Sequence, residues 1–121
     1  MRLLLYLTLA ALLSTCSHPP SLLDQVLATG ELRVVTRAAP SSYFVAPDGP
    51  SGAEFDLVRG FADELGVALI IESVESVSEI VPRLLSGQAH MAAAGLSITE
   101  SRLEFLDFGH PYESVDMAPN P

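Results

Sequence analysis

The stretch that decides the fold reads MAAAGLSITESRLEFLDF and spans residues 91–108. Its opening residues are small and apolar, which suits a buried strand packed closely by helices, and Gly95 lets the backbone leave that strand sharply. Two residues with hydroxyls, Ser97 and Thr99, follow, and each of them can cap a helical turn. The pattern therefore predicts a strand, a sharp turn and a short helix.

The polar part of this stretch is a candidate anion site. Exposed hydroxyls, N–H groups at the predicted helix start and the guanidinium of Arg102 favour a carboxylate, because an arginine fork can bind one bidentately. Residue chemistry leaves another interpretation open, in which Ser97 and Thr99 only cap a turn and Arg102 forms a surface ion pair. The acids within reach of such a pair are Glu100, Glu104 and Asp107.

Helix and strand patterns alternate along the rest of the chain. Apolar residues on one helical face, each set followed by a glycine, predict helices over 22–29, 53–65 and 77–85. Strands are predicted over 31–36 and 67–73, the second of them apolar enough to be covered on both faces, and a short buried strand over 105–108. Residues 37–52 are predicted to be a loop. The order β-α-β-α-β implies an α/β fold with a parallel sheet, whose ligands bind beyond the carboxyl ends of the strands.

A pair of acids at the start of the second helix invites an enzymatic interpretation. Glu54 and Asp56 could in principle act as acid and base, but residues two apart on a helix do not face each other. We therefore interpret them as part of a solvated helix face. No nucleophile and base pair, phosphate loop or metal set is visible, so the sequence predicts neither an enzyme nor a cofactor.

The first fifteen residues resemble the signal peptide of a lipoprotein. Arg2 supplies a positive charge, an apolar run too short to span a bilayer follows, and a Leu-Ser-Thr-Cys box ends at Cys16. We expect cleavage before Cys16, lipidation of its thiol and a short tether leading into the first helix, so that residues 16–30 form tether and leader helix. By the usual sorting rule of such lipoproteins, Ser17, rather than an aspartate, after the cysteine favours the outer membrane as the place of the anchor. The alternative is an ordinary secretory signal with an incidental cysteine.

Charge and side-chain spacing narrow the range of partners. Residues 16–121 contain five arginines, no lysine and fifteen acids, which gives a net charge of −10. Nucleic acid is an unsuitable partner, because phosphate binding needs clustered positive charge. His18, His90 and His110 are too far apart in the sequence for a zinc site, and a single cysteine excludes an internal disulfide.

Several phrases resemble the family 3 periplasmic solute-binding proteins. The segment Gly-Leu-Ser-Ile-Thr-x-x-Arg at 95–102, with Phe-x-Asp-Phe-x-x-Pro-Tyr at 105–112, is similar to the signature of that family. Two further phrases, at 23–34 and 52–66, resemble its leader and its first long helix. The resemblance implies that Arg102 clasps the carboxylate of a ligand and that Gly95, Ser97 and Thr99 assist. It also places Tyr43 in a loop that either lines the cleft or roofs the core.

The resemblance implies one lobe of a type II periplasmic-binding-protein fold. It covers residues 31–115 as a partial lobe, leaves 116–121 as a divergent tail, and lacks a second lobe to close on the ligand. Arg37 stands where many amino-acid binders place an acid for the ligand's ammonium group. Ala53 stands where they often carry a stacking aromatic. An ordinary amino acid is therefore a less suitable ligand.

Within the family, the leader and the ending most resemble the non-catalytic domain of membrane-bound lytic transglycosylases. The lysozyme-like catalytic domain of those enzymes has no counterpart in this chain. The resemblance implies a regulatory module, lipid-anchored on the periplasmic face of the cell envelope, that binds an amino acid or a peptidoglycan-derived peptide. The alternatives are a substrate-binding component of an amino-acid ABC transporter and a stand-alone lipid-anchored interaction module.

Overall fold

The computed structural model describes residues 18–114, and a parallel three-stranded sheet is the centre of their fold. In chain order the elements are α1 Leu22–Thr29, β1 Glu31–Arg37, β2 Phe44–Ala46, β3 Gly49–Ser51, α2 Ala53–Leu65, β4 Ala68–Val74, a 3-10 turn Val77–Glu79, α3 Ile80–Leu85, β5 Met91–Ala92 and α4 Glu100–Leu103. The predicted signal peptide over 1–15, the lipidation site Cys16 and the tail over 116–121 lie outside the described residues.

The strand order β4–β1–β5 confirms the predicted α/β architecture. Strand β1 pairs with β4 from Glu31 opposite Ala68 to Arg37 opposite Val74. Its pairing with β5 is much shorter and joins Val34 and Val35 to Met91 and Ala92. All three strands run in the same direction, so their carboxyl ends meet at one edge of the sheet.

Capping interactions fix the predicted helix ends. The Ser21 hydroxyl accepts a hydrogen bond from the Asp24 N–H, and the Asp24 carboxylate accepts one from the Ser21 N–H, which forms a capping box at the start of α1. Gly30 and Gly66 end α1 and α2 in the left-handed conformation, as the glycine positions predict. Ser76 forms a second capping box with Glu79 and starts the turn that precedes α3.

The core has two layers, one on each face of the sheet. Alternate residues of β1 point to opposite faces, so Leu32 and Val34 pack against α1 and α2 while Val35 packs against α3. Val26 of α1 and Ile80 of α3 are buried in these two layers. The carboxyl end of β1 lies beside the start of the predicted site, because the Ala93 N–H donates to the Val35 carbonyl and the Thr36 hydroxyl donates to the Ala93 carbonyl.

Three of the sequence predictions need correction. Residues 37–52 are not a plain loop, because β2 and β3 form an antiparallel hairpin around Pro47 and Asp48. Strand β4 is not covered on both faces; it lies at the edge of the sheet, and Ile70 remains 44% exposed. Residues 105–108 form no strand, and Phe105 is 62% exposed. Apolar content alone could not distinguish an edge strand or an exposed coil from a buried strand.

Between residues 18 and 114, no helix combines the length and the apolar composition that a bilayer crossing requires.

Candidate functional site

The predicted anion site follows β5 and consists of irregular backbone over 95–99 and the start of α4. We call this segment, residues 95–102, the 95–102 loop. Gly95 adopts a φ of +62°, a left-handed conformation that a glycine tolerates without strain and that turns the chain away from the sheet. Thr99 is the N-cap of α4, and its hydroxyl accepts a hydrogen bond from the Arg102 N–H at 3.4 Å. Within residues 18–114, the four N–H groups from Leu96 to Thr99 donate no hydrogen bond.

Arg102 folds back over this loop. Its Nη1 donates a hydrogen bond of 2.8 Å to the carbonyl oxygen of Ser97, and the side chain is partly buried. None of the ion pairs formed among residues 18–114 includes Arg102, whereas Thr99 does cap α4, so the structure shows the capping part of the alternative interpretation but not its ion pair. Within the described residues the guanidinium has no acidic partner, and the same loop contains N–H groups that donate no hydrogen bond, which is a combination suited to an anion.

Glu54 corrects the sequence interpretation of a solvated helix face. Its side chain is 94% buried, and its Oε1 accepts hydrogen bonds from the Gly95 N–H at 2.8 Å and from the Tyr112 hydroxyl. Asp56 does lie at the surface, in an exposed ion pair with Arg59 at 3.2 Å. The two acids therefore have different environments and do not form a catalytic pair.

Tyr112 completes this contact from the far end of the described chain. Partial desolvation of its hydroxyl raises the pKa of the Tyr112 phenol to about 12, and the hydrogen bond to Glu54 adds to the shift, while 66% of the residue remains exposed. Sequence reasoning missed the role of both residues. The available signal was the position of Glu54 and Tyr112 in the two phrases that resemble the family motif.

A groove of about 910 Å³ runs along the edge of β5 and is walled by α2 and by residues 105–113. Gly95, Ser97 and Glu54 line it, whereas Thr99 and Arg102 do not. Tyr43 lies at a different surface depression, which is formed by residues 38–40 and Phe44. Of the five predicted ligand residues, Gly95 and Ser97 line this groove, Thr99 and Arg102 lie in the same loop but outside its lining, and Tyr43 lies at the separate depression.

Tyr43 instead packs edge-on against the ring of Phe55, with the ring centroids 5.7 Å apart. The neighbouring Ser42 is buried, and its carbonyl oxygen accepts a hydrogen bond from the Phe55 N–H. These contacts hold the β2–β3 hairpin on the start of α2. Of the two alternatives that the sequence leaves open for Tyr43, this packing favours a roof over the core.

Histidine and acid clusters in the described chain do not form a metal site. No group of three or more potential ligands among residues 18–114 has a suitable arrangement. His90 lies directly before β5. Its ring Nδ1 accepts a hydrogen bond of 3.1 Å from the backbone N–H of Arg33, and its backbone N–H donates to the backbone carbonyl of Arg33. Desolvation, followed by the charge of Arg33, lowers the pKa of His90.

The parallel sheet and its strand order match one lobe of solved amino-acid-binding proteins. The chain belongs to the bacterial extracellular solute-binding proteins, family 3, whose model matches residues 32–118. The resemblance stated from the sequence is thereby confirmed.

Curated relatives include the membrane-bound lytic murein transglycosylases F. The protein from Pseudomonas fluorescens is 42% identical over 107 residues, which are 86% of this chain and 22% of the relative. The protein from Methylobacillus flagellatus is 41% identical over 118 residues, or 95% of this chain and 25% of the relative. The chain thus spans between a fifth and a quarter of the length of these relatives.

Solved structures with the same fold include amino-acid-binding proteins. An ancestral cationic amino acid solute-binding protein is 33% identical, with a TM-score of 0.70 over 77% of this chain and 41% of its own. The arginine-bound form of domain 1 from TmArgBP is 31% identical, with a TM-score of 0.68 over 74% of this chain and 71% of its own. The second structure is a single domain of comparable extent.

Proposed function

We propose that this chain is a solute-binding domain of the cell envelope that recognises a small carboxylate-bearing ligand and serves as the regulatory module of a protein related to transglycosylase F. The observation that carries the proposal is the 95–102 loop. Arg102 has no acidic partner among the described residues, and four N–H groups of the same loop donate no hydrogen bond there. A carboxylate would satisfy both features at once.

The parts of the loop divide the work of binding. Arg102 supplies the charge and the fork, and its contact with the Ser97 carbonyl holds the guanidinium over the loop. The hydroxyls of Ser97 and Thr99 supply further donors, while the turn at Gly95 directs the backbone out of the sheet. Against a net charge of −10 in residues 16–121, an acidic ligand needs such a local positive group.

The regulatory part of the proposal rests on the relatives, which are membrane-bound transglycosylases of murein. A ligand derived from peptidoglycan carries carboxylates and would report on the substrate of such an enzyme. We place the lipid on Cys16, the anchor in the outer membrane, and the second lobe and lysozyme-like domain in the parent protein. Murein cleavage itself is not assigned to these residues.

A second candidate function is amino-acid binding as a component of a transporter. The arginine-bound form of domain 1 from TmArgBP favours it, because that structure is a single domain with its amino acid bound. Arg37 at the carboxyl end of β1 weighs against it, since a guanidinium there repels an ammonium group. The two candidates differ in the ligand that they predict.

Calorimetry on the full chain tests the proposal with three titrants: the stem tripeptide L-alanyl-γ-D-glutamyl-meso-diaminopimelate, L-glutamate and L-arginine. We expect the tripeptide to bind, and Arg102→Lys to weaken it by roughly tenfold to a hundredfold, because a charge-assisted hydrogen bond contributes about 1.5–3 kcal/mol. Arg59→Lys is the matched control, since Arg59 lies on α2 in an exposed ion pair with Asp56. Equal affinity of wild type and Arg102→Lys would contradict the proposal, and preferential binding of arginine would favour the second candidate.

A further inference from the structure

Glu54 makes the only side-chain contact that joins α2 to the 95–102 loop among the described hydrogen bonds. Its Oε1 receives the Gly95 N–H, 41 residues further along the chain, and also the Tyr112 hydroxyl. Its Oε2 is buried without a partner in residues 18–114. A buried carboxylate with one unsatisfied oxygen is costly, so the side chain is poorly explained by stability alone.

Helix capping does not account for Glu54 either. Helix α2 begins after Gly52, which has no side chain, so a first-turn acid could have capped the helix itself. The segment before β2 caps the helix instead. The Glu54 N–H donates to the Ser41 carbonyl, and the Phe55 N–H donates to the Ser42 carbonyl. The Glu54 carboxylate therefore remains for the Gly95 N–H and the Tyr112 hydroxyl.

We propose that Glu54 is a positioning residue for ligand binding by the 95–102 loop. By holding the Gly95 N–H, it fixes the direction in which the chain leaves β5, and with it the direction of the N–H groups from Leu96 to Thr99. The Tyr112 hydroxyl donates a hydrogen bond to the same Glu54 oxygen and so helps to keep the carboxylate in place. This role rests on the proposed function, because a loop without a ligand needs no such alignment.

Substitution of Glu54 by a residue of matched length separates positioning from packing. Glu54→Met retains an unbranched apolar chain in the buried space but cannot accept the Gly95 N–H. Glu54→Gln restores one oxygen acceptor without the charge. The control is Asp56→Met, an acid-to-methionine change on the same helix at an exposed position. All four proteins, wild type included, are prepared as full chains and titrated with the stem tripeptide, while amide exchange is followed by NMR.

We expect Glu54→Met to bind the tripeptide about tenfold more weakly and to exchange the Gly95 amide at least about tenfold faster. Glu54→Gln should stay within about threefold of wild type in both measurements, and Asp56→Met should match wild type. Wild-type affinity in Glu54→Met would overturn the positioning role while leaving the proposed function intact. If wild type itself fails to bind, the proposed function fails and the positioning role with it. A rise in exchange across the whole sheet in Glu54→Met would also overturn the role, because it would show a general structural function.

Discussion

At the scale of single residues, His90 links the stability of the sheet to pH. Its Nδ1 accepts the Arg33 N–H, so this nitrogen must be unprotonated for the hydrogen bond to form. Desolvation and the neighbouring Arg33 lower the pKa of His90 in the folded state. Because the unfolded chain then binds the proton more readily, the contribution of His90 to stability is complete above its unfolded pKa of about 6.5 and is lost as the pH falls below it.

His90→Asn tests this contribution, because the Asn Oδ1 can accept the same N–H and does not titrate. We expect the free energy of unfolding of wild type to fall from pH 7.5 to pH 5.5 and that of His90→Asn to change less over the same range. Denaturant titrations at each pH measure the difference. Parallel curves for the two proteins would contradict the assignment.

Residues differ in how far their role could be predicted from the sequence. Thr99 caps α4 through contacts with its own neighbours, so local spacing was enough to predict a cap. Glu54 depends on Gly95 and Tyr112, which lie 41 and 58 residues away in the chain. No local pattern distinguishes such an acid from the solvated Asp56 two positions on. The resemblance to a family located the loop, and the structure was needed to find the residue that holds it.

At the scale of elements, the junction between the β2–β3 hairpin and α2 depends on one glycine. Gly52 adopts a φ of +136°, and a Cβ built on it would lie 2.4 Å from the carbonyl oxygen of Ser42. That carbonyl accepts the Phe55 N–H at the start of α2, so it has little freedom to move. Both the backbone conformation and the close approach therefore require glycine.

Gly52→Ala should lower the free energy of unfolding by about 2 kcal/mol or more, since the strained backbone alone costs about 1–3 kcal/mol. Gly60→Ala is the matched control. Gly60 lies inside α2, and a Cβ there would meet no atom within 4 Å. Alanine at this position should raise stability by roughly 0.5–1 kcal/mol. Chemical denaturation of the two variants checks the opposite signs, and a tolerated Gly52→Ala would show that the junction adapts.

The strands show which elements composition can predict. Strand β1 is central and largely buried, and its apolar pattern predicted it correctly. Strand β4 has a similar apolar content, yet it has a neighbour on one side only and several exposed residues. Residues 105–108 are apolar as well but pair with no strand in the described chain. Pairing depends on which elements meet across the sheet, and hydrophobic content carries no such information.

At the scale of the whole molecule, the described lobe exposes much apolar surface. The edge strand β5 is paired over only two residues, and large side chains such as Leu57, Leu85 and Phe105 are more than half exposed. Small domains bury a modest fraction of their surface, and an open sheet edge favours association. The lobe is therefore expected to be marginally stable when it stands alone.

A fragment of residues 31–108 should accordingly be aggregated or partly disordered. It lacks α1, whose Val26 is buried in one layer of the core, and it lacks the contact between Tyr112 and Glu54. Sedimentation velocity and thermal unfolding followed by circular dichroism measure both properties. A monomer with a sharp two-state transition, unchanged by concentration, would contradict the expectation.

We propose that the 95–102 loop binds a carboxylate. An NMR titration of the full chain with the stem tripeptide tests it most directly, because each backbone N–H of the loop has its own signal. We predict that the largest shifts fall on the N–H groups from Leu96 to Thr99 and on the Arg102 side chain. Unchanged loop signals at millimolar tripeptide, or shifts that cluster around Tyr43 instead, would contradict the claim.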